Sequence, residues 1–107
     1  MEFKELTKRA REVKKSYIKL NKIQGNKPWS MAEYTQGLVG DVGDLTKLVM
    51  AKSGYRKYDD VDKKLAHELA DCLWSIIIIA DELGINLEKE FLKIMDGLKK
   101  KVSSKIK

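Results

Sequence analysis

A chain of 107 residues with 36% charged and 43% hydrophobic residues is expected to form one soluble domain, too short for two cores and too apolar to stay disordered. One cysteine, Cys72, excludes an internal disulfide, and no apolar run is long enough to span a bilayer or to act as a signal peptide, so a cytoplasmic protein without a membrane partner is expected. The net charge of +6 is unevenly placed, at +5 up to residue 24, −4 over 25–98 and +5 beyond, which fits solvated lysine faces at the chain ends and gives no reason to expect a nucleic-acid partner.

Phe3, Leu6, Ala10, Val13, Tyr17 and Leu20 recur every three or four residues and predict an amphipathic helix from Glu2 to about Ile23, stopped by Gly25 and Asn26. Its other face carries Lys8, Arg11, Lys15, Lys19 and Lys22, with no interleaved aromatics for base stacking. After Pro28, the run Ser30-Met31-Ala32-Glu33 is a capping box that starts a second helix reaching to about Ser53. Trp29, just before the cap, either staples onto the first turn or flanks a flat ligand ring. Gly37, Gly40 and Gly43 each cost that helix about 1 kcal/mol relative to Ala, which predicts another helix or a ligand close to the backbone there.

Gly54 to Asp60 is a short connector with Tyr55, Arg56, Lys57 and Tyr58, placed to cover a site, and Asp59 or Asp60 is expected to cap the third helix. That helix should end at Leu83, with Gly84 as its stop. Leu73, Trp74 and Ile76 to Ile79 point in almost every direction around it, more apolar surface than one small bundle can bury, which predicts a subunit interface. Cys72 and Trp74 read as core or interface residues, and His67 as a surface residue directed away from the acids. Asn86 should cap a fourth helix whose apolar side is Phe91, Leu92, Met95, Leu98 and Val102, with residues 103–107 as a frayed basic tail. The expected fold is a single all-α domain over residues 1–102, a four-helix bundle that assembles as a homo-oligomer.

The second and third helices share a pattern, Leu-x-x-acid-x-x-acid, from Leu38-Asp41-Asp44 and Leu65-Glu68-Asp71. Stepping about 100° per residue puts Asp41 in an apolar arc with Tyr34, Val42, Leu45, Leu48 and Val49, and Glu68 in one with Leu69, Cys72, Ile76, Ile79 and Leu83; Asp44 and Asp71 fall at the margins. Carboxylates held against apolar neighbours and against one another cost several kcal/mol unless something positive compensates, and neither signature contains Lys or Arg. A divalent cation is the simplest compensator. Oxygen ligands select Mg²⁺ or Mn²⁺ over Zn²⁺. Lys52 returns to the same side nearly three turns after Asp41, either as a phosphate contact or as an exposed lysine.

The stretch Leu38-Val39-Gly40-Asp41-Val42-Gly43-Asp44-Leu45, followed by His67-Glu68-Leu69-Ala70-Asp71, resembles the paired motif of the MazG-like all-α nucleoside triphosphate pyrophosphohydrolases, over about Trp29 to Asp96. The family pattern is Glu-Glu-x-x-Glu, a connector, then Glu-x-x-Asp. Gly40 stands where many members have the first Glu, as in the dCTP pyrophosphatase branch, and Asp41 and Asp44 replace Glu. The resemblance implies Asp41, Asp44, Glu68 and Asp71 as Mg²⁺ ligands, Asp41 as the base, Trp29 and Lys52 at the substrate, hydrolysis of an NTP or dNTP to NMP and pyrophosphate, and a dimer or tetramer. Two other readings stay open: a module that binds metal and nucleotide but hydrolyses slowly, because the Asp side chains are shorter, and a basic helical interaction protein.

Overall fold

The computed structural model of the protein describes residues 2–54 and 59–106, and these form four helices: α1 (Phe3–Ile23), α2 (Met31–Lys52), α3 (Val61–Glu82) and α4 (Leu87–Ile106). Tyr55, Arg56, Lys57 and Tyr58, expected to cover a site, lie outside the described residues. None of the helices is long and apolar enough to cross a membrane.

The stops are made as the sequence indicates. Gly25 and Gly84 take left-handed backbone, with φ of 72° and 70°. At each, two main-chain bonds close the helix end, Asn26 N to Asn21 O with Gly25 N to Lys22 O, and Ile85 N to Ala80 O with Gly84 N to Asp81 O. A side chain at either glycine would strain that turn. The start of α2 is the expected capping box, in which Glu33 accepts from the Ser30 amide at 3.3 Å and from its hydroxyl at 2.6 Å. Asn86 Oδ1 accepts from the Lys89 amide at the start of α4. At α3 the expectation is only half met. Asp60 occupies the cap position but in left-handed backbone (φ 53°), and its side chain makes no capping bond.

The core is small. Ala10 of α1, Tyr34 of α2 and Ile77 and Ile78 of α3 meet at its centre, with Ile78 fully buried, and Phe3, Trp74, Ile79 and Leu87 pack around them. Helices α2 and α3 form the main pair, and α1 lies across α3. Trp74 joins the two layers, since its indole Nε1–H donates to the Ala10 carbonyl at 3.1 Å while Tyr17 and Tyr34 meet its ring edge to face. Arg11 grips Asp81 through both guanidinium branches, and Lys14 pairs with Glu82. Both ties hold the first half of α1 to the end of α3.

Helix α4 departs from the expected bundle. It buries no residue, and every member of its expected apolar side is exposed. It also continues through the expected frayed tail to Ile106, where the Ser104 hydroxyl bonds the Lys101 carbonyl. Ser104 thus back-bonds to a helix carbonyl rather than ending the helix. The glycines of α2 are the other departure. A Cβ at Gly40 or Gly43 would meet nothing within 4 Å, and at Gly37 only the Trp29 ring, at 3.6 Å. Among the described residues, therefore, no second helix uses these positions.

Candidate metal centre and aromatic cleft

The four acids come together. One carboxylate oxygen each from Asp41, Asp44 and Glu68 lie within 4.8 Å of one another, and His67, Glu68 and Asp71 form a second group to the same limit. Glu68 belongs to both. The i, i+3 spacing on each helix turns both acids toward the same side, and the close pairing of α2 with α3 brings the two sides face to face. As the helical projection indicates, Asp41 and Glu68 are half-buried and Asp44 is exposed; Asp71 is half-buried as well. The arcs around them are less complete, because Val42, Val49 and Leu69 remain exposed.

Electrostatically the cluster is only partly compensated, with His67 at its edge opposing the mutual repulsion of the acids. Burial, followed by the neighbouring charges of Asp71 and Asp44, raises the Asp41 carboxyl above its ordinary range. Glu68 is raised in the same way, first by burial and then by Asp41, Asp71 and Asp44. Burial and the same acids push up the Cys72 thiol, which is a buried, free core residue and no nucleophile. Glu68 Oε2 is sealed from solvent and has no hydrogen-bond partner among the described residues. A buried carboxylate oxygen without a donor costs about 1 to 3 kcal/mol or more, so it is the clearest mark of a missing positive partner. The donor set is also suitable: three acidic groups converging at 4.8 Å, all oxygen, match the preference of Mg²⁺ or Mn²⁺. The residues present therefore fit a hard divalent cation.

His67 corrects the sequence expectation. It is exposed, but its Nε2 stands 3.1 Å from Asp71 Oδ2, so it belongs to the acidic cluster's edge. Residues i and i+4 are only about 40° apart on a helix, which was the signal that could have placed it there. Lys52 is not at the cluster. Its ammonium pairs with Asp62 at 2.6 Å, joining the end of α2 to the start of α3.

Beside the acids runs a cleft of about 580 Å³, walled by Tyr17 and Asn21 of α1, Trp29 and Tyr34, Trp74 of α3, and by Asp41 and Asp71 themselves. Trp29 takes the staple role offered by its position and also lines the cleft. It staples onto Tyr34, four residues past the cap, with ring centroids 5.5 Å apart, and still leaves half its surface open to the cleft. The α1 wall was invisible to sequence reasoning, because its residues read only as the apolar face of an amphipathic helix. No protein family, no characterised protein and no solved structure matches this chain.

Proposed function

We propose that the protein is a metal-dependent nucleoside triphosphate pyrophosphohydrolase of the MazG-like kind, converting an NTP or dNTP and water to NMP and pyrophosphate. The observation that carries this reading is the buried oxygen of Glu68, unpartnered among the described residues, at the meeting point of Asp41, Asp44 and Asp71. Those four side chains would hold Mg²⁺ or Mn²⁺, which when bound neutralises phosphate oxygens and lowers the pKa of coordinated water. The chain's own contribution follows from its geometry. Asp41, raised by burial, is the group suited to accept the proton of the attacking water as the bond between the first and second phosphates breaks. Asp41 lines both the cluster and the cleft, which supports a pose with the triphosphate at the acids and the nucleobase among the rings.

Trp29, Tyr17, Tyr34 and Trp74 offer ring faces and edges to a planar base, and Asn21 and Asp71 offer polar groups at its rim. Lys52 is assigned no phosphate contact, since it is engaged with Asp62. Such an enzyme would serve in the cytoplasm on the nucleotide pool. The test is a panel of canonical and modified NTPs and dNTPs with Mg²⁺ or Mn²⁺, resolving pyrophosphate from orthophosphate. Pyrophosphate with NMP is expected, and orthophosphate as the sole primary product would overturn the reading.

A further inference from the structure

The two groups of ligand atoms share Glu68 but differ in chemistry. Asp41, Asp44 and Glu68 offer oxygen alone, whereas His67, Glu68 and Asp71 bring the chain's single imidazole to two carboxylates. In each group one ligand atom per residue lies within 4.8 Å of the others. An all-oxygen set suits a hard ion such as Mg²⁺. An imidazole moves the preference toward first-row transition ions, which hold nitrogen more strongly.

The local sequence builds the mixed group. In His67-Glu68-Leu69-Ala70-Asp71 the first and last residues stand about 40° apart around α3 and about 6 Å apart along it, so both side chains leave from one face. The same i, i+4 spacing presents two histidines to zinc in the helical pattern His-Glu-x-x-His, and here Asp71 stands in place of the second histidine. His67 Nε2 lies 3.1 Å from Asp71 Oδ2. Neighbouring ligand atoms on one ion, at right angles and with bonds of about 2.1 Å, stand about 3.0 Å apart, so this pair already has the spacing of one edge of a coordination shell. A surface ion pair has that spacing too, but it gives no role to Glu68, which joins the same group and whose Oε2 is buried with no partner among the described residues. The His67 side chain is 72% exposed, so it can turn onto an ion without displacing packed neighbours.

We propose that His67 is a metal ligand, and that its nitrogen makes the Asp71 side of the acidic site a position for a first-row transition ion in preference to Mg²⁺. The Asp41–Asp44 side, with oxygen ligands only, stays a hard-ion position. Glu68 serves both. The paired acidic motif supplies oxygen alone, so the imidazole is this chain's own addition and gives one site two unlike ends. The inference rests on the metal site proposed above, and not on the hydrolysis.

The test is calorimetric titration of the full chain with Zn²⁺ and, separately, with Mg²⁺. His67→Ala should weaken Zn²⁺ binding by about tenfold or more and leave Mg²⁺ affinity within about twofold, since it removes a nitrogen ligand from an exposed position. Asp44→Asn should do the reverse, and Glu68→Gln should weaken both ions. Nitrogen-15 NMR of the wild type needs no variant: the single imidazole gives unambiguous ring signals, and Zn²⁺ should shift Nε2 where Mg²⁺ does not. Unchanged Zn²⁺ affinity in His67→Ala, or an Nε2 signal indifferent to Zn²⁺, would leave His67 as a surface partner of Asp71 and overturn the proposal while the four-acid site stands. Zn²⁺ binding untouched by Glu68→Gln would overturn it as well, as adventitious binding to an exposed histidine. A wild type that binds neither ion would overturn this inference and the metal site together. Selective binding of both ions without release of pyrophosphate would support His67 as a ligand and remove only the hydrolysis.

Discussion

Replacing Glu68 by Gln removes one negative charge from the overlap of the two acidic groups while keeping the side chain's size. Asp41, Asp44 and Asp71 each offer an oxygen within 4.8 Å of one on Glu68. At that separation two unit charges repel by about 0.9 kcal/mol in water and about 3.5 kcal/mol at the effective dielectric of partly buried sites. Proton uptake relieves part of this, since Asp41 and Glu68 are both held above the ordinary carboxylate range. The new amide also donates a hydrogen bond to its neighbours. Glu68→Gln is therefore expected to stabilise the metal-free protein by about 1 to 2 kcal/mol, a rise of about 5 to 10 °C in melting temperature. Mg²⁺ or Mn²⁺ at a hundredfold excess over its dissociation constant should stabilise the wild type by about 2.7 kcal/mol, and the variant should lose most of that increment. Thermal melts of both proteins, in chelator and in metal, measure the two effects together. A variant that is less stable in chelator and keeps the whole metal increment would show that Glu68 is an ordinary buried acid.

Asp71→Asn should behave in the same direction, losing both the metal-dependent shift and turnover, and retention of both in the melt and product assays would remove Asp71 from the site. With chelator present, the native protein keeps protons on Asp41 and Glu68 that the unfolded chain has released, so their contribution to stability falls as pH rises through their raised pKa values. The urea midpoint should accordingly rise as pH is lowered through the raised pKa values of Asp41 and Glu68, until Asp81, which Arg11 holds under the usual carboxylate range, protonates and gives up its stabilisation. A midpoint that falls steadily as pH is lowered from about 7, with no rise before Asp81 protonates, would contradict the raised pair. Trp74→Phe removes the indole bond to the Ala10 carbonyl and should cost about 1 kcal/mol or more in urea unfolding, with no loss if that bond is incidental. Gly43→Ala should stabilise α2 by about 1 kcal/mol, because a Cβ there meets nothing, and a loss of stability would mean that another chain approaches it.

The helices were legible because each has its own chemical punctuation. Ser30 with Glu33, Gly25, Gly84 and Asn86 act within four or five residues, so their effect does not depend on the rest of the fold. The convergence of the acids was legible for a related reason: Asp41 and Glu68 interrupt apolar arcs, and two arcs that pair must bring their interruptions together. Asp60 failed as a side-chain cap because it sits in left-handed backbone, which the residue type alone does not announce. The cleft's α1 wall was not legible, since Tyr17 and Asn21 reach it only through the angle at which α1 crosses α3. Nor was the detachment of α4, because an apolar stripe records that a helix packs, and leaves open whether its partner belongs to the same chain.

The ties between α1 and α3 have a mechanical meaning. Ala10, Arg11 and Lys14 fasten the front half of α1, whereas Tyr17, Leu20 and Asn21 of the rear half stand along the cleft, with the Tyr17 ring edge on Trp74 as their cross-link to α3. The rear half is thus a cantilever pivoting near Lys14, about 14 Å long to its end at Ile23. A swing of about 10° carries that end about 2.4 Å, on the order of two-thirds the thickness of an aromatic ring. The width of the cleft is therefore set by how the rear half of α1 lies, while the ion pairs that hold its front half, at Asp81 and Glu82, stand at the far end of α3 from the acids.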